Sequence, residues 1–429
     1  MFPFRGLQIK SDTFSSMFRA LNYRNYRYFF AGQSISLVGT WVQNIAMGWL
    51  VYRLTGSALL LGSVVFALQI PSLFITPFAG VLADRWNRRI TIILSQSAAM
   101  LIAFFLAWLV LTNRITVGWI LPLAILNGVA LAFDTPFRQA FVADIVTNRK
   151  DLSNAIALNS SAYNLARFIG PPIGGVLIAW LGEGWCFFIN GVSFTTTIGS
   201  LLAMKMVNRR VMKKAGSILR QLHEGLYYAW KFKTLRYLLM LITLSSFFGL
   251  PFQALMPLFA AEILQGDAQT LGLLTGSLGA GALSGALFLA SRKNVFDLPK
   301  LTFLAAMTFA IGLSLFAVSV NLYLSLFALV FTGFGMIMHF NSTNTLLQSI
   351  ADEDKRGRVV SLYSLTFMGI TPLGSLLAGA IADNIGVPFT VFAFSLICIG
   401  SAVIFGKRVR LVHFSLARKS IKTLTNKAL

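Results

Sequence analysis

The chain has 429 residues, of which 56% are hydrophobic and 12% charged. Soluble globular domains carry roughly 25% charged residues, so a water-soluble globule is excluded, and the recurring apolar runs exclude a disordered chain. The net charge of +22 would suit a nucleic-acid binder, but its placement does not: 32 of the 36 Lys and Arg fall at 5–27, 85–89, 149–150, 205–236, 292–300, 355–358 and from 407 onward. The intervening short turns hold only Arg53 and Arg114. Alternation of basic and base-poor loops is the positive-inside pattern. It predicts a multi-pass protein of the inner, cytoplasmic membrane with both chain ends in the cytoplasm, touching anionic membrane lipids and no nucleic acid.

Helices are the spanning element, because about 20 consecutive apolar residues cross the hydrocarbon and the runs do not alternate as barrel strands do. Residues 1–27 lack a continuous apolar core and read as a cytoplasmic arm without a signal peptide. The apolar runs then predict helices at 28–50, 57–83, 90–112, 117–143, 152–181 and 185–204. A second set is predicted at 235–258, 270–290, 298–320, 322–350, 359–382 and 387–405. Two bundles follow, 28–204 and 235–406, each crossing an even number of times because both ends and the middle segment are basic. Between them, 205–234 carries Ile218, Leu222, Leu226, Tyr227 and Trp230 at helical spacing, which predicts an amphipathic helix on the cytoplasmic surface. Residues 407–429 form a basic tail. Cys186 and Cys398 lie in apolar runs and read as small buried hydrophobes.

The two halves repeat at an offset of about two hundred residues. Arg27-Tyr28 and Arg236-Tyr237 open the first and seventh helices. Ala143-Asp144 and Ala351-Asp352 each lead into a charged turn, and Pro172-Ile173-Gly174 matches Pro372-Leu373-Gly374. Parallel six-helix halves are a transporter architecture.

Two segments carry the sharpest signal. The turn Gly80-Val81-Leu82-Ala83-Asp84-Arg85-Trp86-Asn87-Arg88-Arg89 resembles the G-x-L-A-D-R-x-G-R-R loop of the major facilitator superfamily. Gly80 is expected to permit close helix contact, Asp84 to accept from a helix N-terminus, and Arg85, Arg88 and Arg89 to pair with acids on neighbouring helices. Such a cluster can latch one half against the other. Asn87 stands where that family has Gly, and Asn tolerates positive φ. The second segment, Arg167-Phe168-Ile169-Gly170-Pro171-Pro172-Ile173-Gly174-Gly175, is similar to the G-P-x-x-G-G antiporter motif. Gly170, Gly174 and Gly175 allow close approach and Pro171 bends the axis. The resemblance associates this motif with export.

Phe133-Asp134-Thr135-Pro136-Phe137-Arg138-Gln139-Ala140, Asp151-Leu152-Ser153-Asn154-Ala155 and His223-Glu224-Gly225-Leu226 resemble the transmembrane secretion effectors. That branch sits among the drug:proton antiporters and includes enterobactin-type siderophore exporters. The resemblance implies a twelve-helix, all-α major facilitator fold of two pseudo-symmetric bundles. The R-x-x-Q-G pattern by which many drug/proton antiporters couple to protons is missing from the fourth helix.

Ionisable residues inside a membrane are rare and informative. Asp134 and Arg138 are four apart on one helical face and can pair, with Asn127 continuing that face. Asp134 either carries a coupling proton or is the fixed partner of Arg85 or Arg88. Arg167 either holds an anionic substrate or bonds to a neighbouring helix. The superfamily resemblance places helices one, four, seven and ten around the central pathway. Their polar groups nominate a cavity of Gln33, Thr40, Gln43, Asn44, Asn127, Gln253, His339 and Asn344, each with interhelical bonding as the alternative use.

No phosphate-cradling loop, metal-ligand cluster or nucleophile triad is present in the sequence, so neither an enzyme nor a cofactor or metal is expected. The expectation is a monomeric secondary-active exporter of a small molecule (drug, siderophore or other metabolite), exchanging it for protons. A lysophospholipid flippase and a non-transporting membrane sensor are the alternatives.

Overall fold

Charged and turn residues punctuate the apolar runs, and the chain breaks into helices there. The computed structural model describes residues 18–204, 228, 230–292, 295–353 and 355–416. In chain order the long helices are α1 Arg24–Thr55, α2 Ala58–Leu82, α3 Arg88–Leu111, α4 Val117–Ile145, α5 Arg149–Leu181 and α6 Glu183–Ala203. Then come α7 Lys233–Ile263, α8 Ala268–Ala290, α9 Leu298–Val318, α10 Leu322–Ile350, α11 Arg356–Ile385 and α12 Val387–Gly406. All but α1 are long and apolar enough to span a membrane by length and composition. Six polar residues between Gln33 and Asn44 dilute α1. The predicted amphipathic helix lies almost wholly outside the described residues.

Several helices start earlier than the apolar runs do, at Arg24, Arg149, Lys233 and Arg356. Long basic side chains reach the membrane surface from a buried stem, so the helix continues past the last apolar residue. Helix α7 is uneven: Ser245–Gly249 and Phe259–Ile263 are π-helical. Such bulges concentrate at functional positions.

The short turns at one end, hereafter the short-turn end, bend sharply. Every positive φ among the described residues lies there: Gly56, Asn113, Gly182, Gln265 and Gly386. Gly182 (φ 84°, ψ 169°) and Gly386 (φ 87°, ψ 153°) occupy the same turn in the two halves, in a region open essentially to glycine alone. The opposite, basic-loop end holds the charged segments.

In the first bundle α1 packs on α5 and α6, α2 on α4, and α3 on α4 and α6. The second repeats this with α7 on α11 and α12, α8 on α10, and α9 on α10 and α12. The bundles meet along α2–α11 and α5–α8. Lipid tails offer no hydrophobic drive between helices, so small residues decide where backbones approach. Gly62 of α2 lies against Ser375 and Leu376, and Gly379 of α11 against Ala58 and Leu59.

The apolar core shows how the bundles join. Towards the short-turn end one cluster runs through both bundles, from Val42, Leu61 and Leu123 to Phe259, Leu274 and Val391. Towards the basic-loop end it divides. Tyr26, Phe29, Ile92, Phe137 and Phe141 form a core of the first bundle alone. Leu235, Leu238, Leu346, Val359 and Phe405 form one of the second.

Candidate functional site

The charged turn after α2 is organised by Arg88. Its Nη1 donates to both carboxylate oxygens of Asp144 at 2.9 Å, at the end of α4. Its Nε donates to the Ala83 carbonyl at 2.8 Å and its Nη2 to Asp84 Oδ1 at 3.1 Å. Arg89 Nη2 reaches the Leu202 carbonyl at the end of α6. One guanidinium thus ties the ends of α2 and α4 to the start of α3. Asp84 is 58% exposed and Arg85 is exposed.

All these partners belong to the first bundle, so in this structure the cluster bridges no seam. Three expectations are corrected here. Gly80 meets nothing within 4 Å of where a Cβ would stand, because α2 touches α11 nearer the other end. Asp84 accepts from Arg88, not from a helix N-terminus. Asn87 has φ −69° and needs no left-handed backbone; it caps α3 by accepting from the Ile90 N–H at 3.2 Å.

Asp134 lies deeper. It is 2% exposed, accepts from Gln96 Nε2 at 2.8 Å, and forms an ion pair with Arg138 at 3.3 Å. The i,i+4 pair read from the sequence is present. Asp134 is not the partner of Arg88, because it lies ten residues before Asp144, about 15 Å further along the helix. Its Oδ2 and Gln96 Oε1 are buried without a hydrogen bond. Gln96 escaped the sequence reading, since an amide on α3 announces no partner.

The glycine-proline motif of α5 works on two sides. Gly170 lies against Trp41 and Val38 of α1, and Gly174 against Val42 and Ile45. Gly175 lies against Ala268, Gln269 and Gly272 of α8, while Gly276 meets Pro172 and Gly279 meets Arg167 and Phe168. The α8 glycines at 272 and 276 were missed, although their G-x-x-x-G spacing is a packing signal. Helix α5 continues unbroken across Pro171 and Pro172.

Among the described residues, two places carry hydrogen bonds across the seam. At the short-turn end, Asp383 of α11 accepts from the N–H of Ala58 at 2.6 Å, the hydroxyl of Ser57 at 2.9 Å and the N–H of Leu59 at 3.2 Å. A carboxylate on the N-terminus of α2 satisfies orphan donors and complements the helix dipole. Midway along, Arg167 Nη2 donates to Gln253 Oε1 of α7 at 3.4 Å, with its guanidinium 5.6 Å from the Trp41 ring centroid. Arg167 does bond to a neighbouring helix.

The nominated cavity residues divide. Asn44 is exposed, and Thr40, Asn127, Gln253 and Asn344 are half-buried. Gln43 is buried and accepts from Asn190 Nδ2 of α6 at 2.7 Å. His339 is 0% exposed, bonded to Ser245 of α7 at 3.1 Å and facing Thr343. Gln43 and His339 therefore join helices and do not line open space, a correction that follows from the cost of leaving polar groups unpaired. Gln33 is buried with its Oε1 unpartnered. At the basic-loop end Thr345, Gln348, Ser349 and Arg356 line a pocket of about 300 Å³. Nearby, α1 is tied to α5 by Tyr26 on Ala155 and Asn159 and by Tyr23 on Asp151. The hydrogen bond to Asp151 pushes the Tyr23 phenol above its ordinary pKa.

Known proteins resemble this chain in sequence and in fold. Residues 15–427 match the family described as transmembrane secretion effector. A staphyloferrin A transporter of Staphylococcus aureus is 24% identical, over 87% of this chain and 94% of its own. The multidrug efflux pump Tap of Mycolicibacterium fortuitum is 26% identical, over 87% and 93%. Among solved structures, the xylose transporter XylE of E. coli in an inward-open conformation aligns with TM-score 0.68, 13% identity, and coverage of 89% and 96%. Twelve helices in two repeated bundles, a family match over nearly the full length and these relatives lead to one conclusion: the chain belongs to the transmembrane secretion effectors of the major facilitator superfamily, and is a multi-pass membrane transporter, not an enzyme.

Proposed function

We propose that this transporter exports small organic molecules, drugs, siderophores or other metabolites, in exchange for protons. Its basic-loop end and both chain ends face the cytoplasm, and it sits in the inner membrane as a monomer. The moving bodies are 28–204 and 235–406, joined by the linker 205–234 and flanked by the arm 1–27 and the tail 407–429. The observation that carries this reading is the core that is continuous at the short-turn end and divided at the other. In this reading the pathway is shut to the outside and open to the cytoplasm. In the opposite state the Asp84, Arg85 and Arg88 cluster reaches α11, whose first turn begins at Arg356 without a side-chain cap.

Asp134 is the proton carrier in this reading. It is a buried carboxylate whose Oδ2 meets Arg138 as an ion pair without a well-directed hydrogen bond, beside a Gln96 amide oxygen that lacks a donor. A proton on Asp134, with rotation of the Gln96 amide, would give that oxygen a donor. The roles of the relatives, multidrug efflux and staphyloferrin A transport, support the substrate class.

The test is substrate-induced proton movement in inverted vesicles. Addition of a transported compound should dissipate an imposed pH gradient, and Asp134→Asn should abolish that movement while leaving substrate binding within about twofold. No gradient-dependent transport across a broad panel would contradict the proposal.

A second reading, lysophospholipid movement, is favoured by one observation. A groove of about 440 Å³ is lined by Leu73 of α2 with Met240, Leu365 and Leu373, and has Trp230 and Arg236 at one end. Flipping of a labelled lysophospholipid in proteoliposomes would select it over export of soluble compounds.

A further inference from the structure

We propose that Arg167 is the anion-binding point of the substrate site, and that the molecule carried bears one carboxylate on an aromatic or apolar body. This rests on the transporter reading above and names the substrate class.

The coordination of Arg167 is incomplete. A guanidinium has five N–H donors and no acceptor. Arg138 is matched by Asp134, Arg53 by Glu183, and Arg88 by Asp144 and Asp84. Arg167 has one long hydrogen bond, to an amide oxygen, and a ring face. Among the described residues no carboxylate lies within ion-pairing distance of it. A cation within a membrane span without an acid marks a substrate pathway.

Position agrees. Arg167 lies about 27 Å along α5 from the basic-loop end and about 21 Å from the other, at 1.5 Å per residue. One flank of α5 exposes Leu165, Ile173, Val176 and Trp180. The other carries Ser160, Tyr163, Asn164 and Arg167, and its side chains reach Trp41 of α1 and Gln253 of α7. The apolar flank faces lipid; the polar flank faces the space between the bundles. Arg167 therefore stands midway along the seam, where the polar flank of α5 meets α1 and α7.

The ligand's chemistry follows. A single guanidinium suits a single negative charge, and its planar fork suits a carboxylate. Trp41 and Tyr163, edge to face with centroids 5.9 Å apart, supply an aromatic wall beside it. Gln253 turns its Oε1 to Arg167 and its Nε2 towards Met336 Sδ at 3.9 Å. Arg167 and Gln253 belong to different bundles, so an anion that captures Arg167 also releases a bond across the seam. Substrate binding thereby loosens the closed state.

The experiment measures binding of 2-naphthoate, 2-naphthamide and 2-naphthylmethylammonium to the full-length protein in lipid nanodiscs. Naphthoate should bind at least about tenfold more tightly than the other two. In Arg167→Gln the three should fall within about threefold of one another, whereas Arg167→Lys keeps part of the preference. Gln253→Leu, which removes the competing acceptor, should tighten naphthoate by about threefold. Equal or tighter binding of the amide or the ammonium, survival of the preference in Arg167→Gln, or no binding by any of the three would overturn the inference. Should Arg167→Gln fail to fold, the ranking on the unaltered protein and on Gln253→Leu still decides. Proton movement with cationic substrates and no carboxylate preference would remove this inference and leave the transporter reading standing.

Discussion

The two ends of the α2–α11 seam are built alike and used differently. The helices run antiparallel, so each end of the seam combines the C-terminal end of one helix, followed or carried by an aspartate, with the N-terminal end of the other. At the short-turn end the contact is made: Asp383 sits on the first N–H groups of α2. At the basic-loop end it is unmade. Asp84 is held by Arg88 within its own bundle, and α11 begins without a side-chain cap. The apolar core follows the same division, joined where Asp383 is engaged and split where Asp84 is not. The lesson is that closure needs little energy of its own. In the proposed cycle a dipole contact worth about 0.3–1 kcal/mol biases two stable bundles, and the cost of switching would stay low if the Asp84 end made the counterpart contact.

The most severe way to break this comparison is to forbid the short-turn end from opening. Ser57→Cys with Asp383→Cys places two thiols where the Ser57 hydroxyl meets the Asp383 carboxylate at 2.9 Å. Oxidation should reduce transport to background and a reductant should restore it. Undiminished transport by the cross-linked protein would mean that this end need not open.

A smaller effect is expected at the basic-loop cluster. Arg88→Ala leaves Asp144 and Asp84 without their cation and should cost about 2 kcal/mol of stability, discounted because both partners are partly solvated. Thermal unfolding in detergent checks this, with Arg88→Lys expected to recover less than half. A neutral Arg88→Ala would mean that the cluster does not organise the ends of α2, α3 and α4.

The mildest change sharpens the comparison most. Asp383→Ala removes three acceptor contacts and should shift the population away from short-turn closure by about 1 kcal/mol, roughly fivefold. Thiol labelling at Ser57→Cys, compared with and without the Asp383 change, reads that shift.

The helices were legible because membrane spans need long apolar runs, and α10 was read to the residue. Their ends were less so, since Arg24, Lys233 and Arg356 continue a helix that hydropathy alone would stop. The matched pairs Pro172-Gly174 and Pro372-Gly374 indicated the repeat, and both glycines pack equivalently, Gly174 on α1 and Gly374 on Phe247 of α7. What the sequence hid was partnership. Asp383 lies near a turn, where an acid reads as solvated. Gln43 and His339 looked like cavity residues because an amide or imidazole in a span has the same appearance whether it meets substrate or another helix. The π-helical segments of α7 leave no mark in composition.

The central claim, that the two ends of the seam open and close in opposition, is tested most directly by paired spin-label distances. One label pair would sit on α2 and α11 at the short-turn end, and a second at the basic-loop end, both followed as pH and substrate are varied in nanodiscs. The account predicts reciprocal change: the first distance lengthens as the second shortens. Distances that both stay fixed, or that lengthen together, would contradict it.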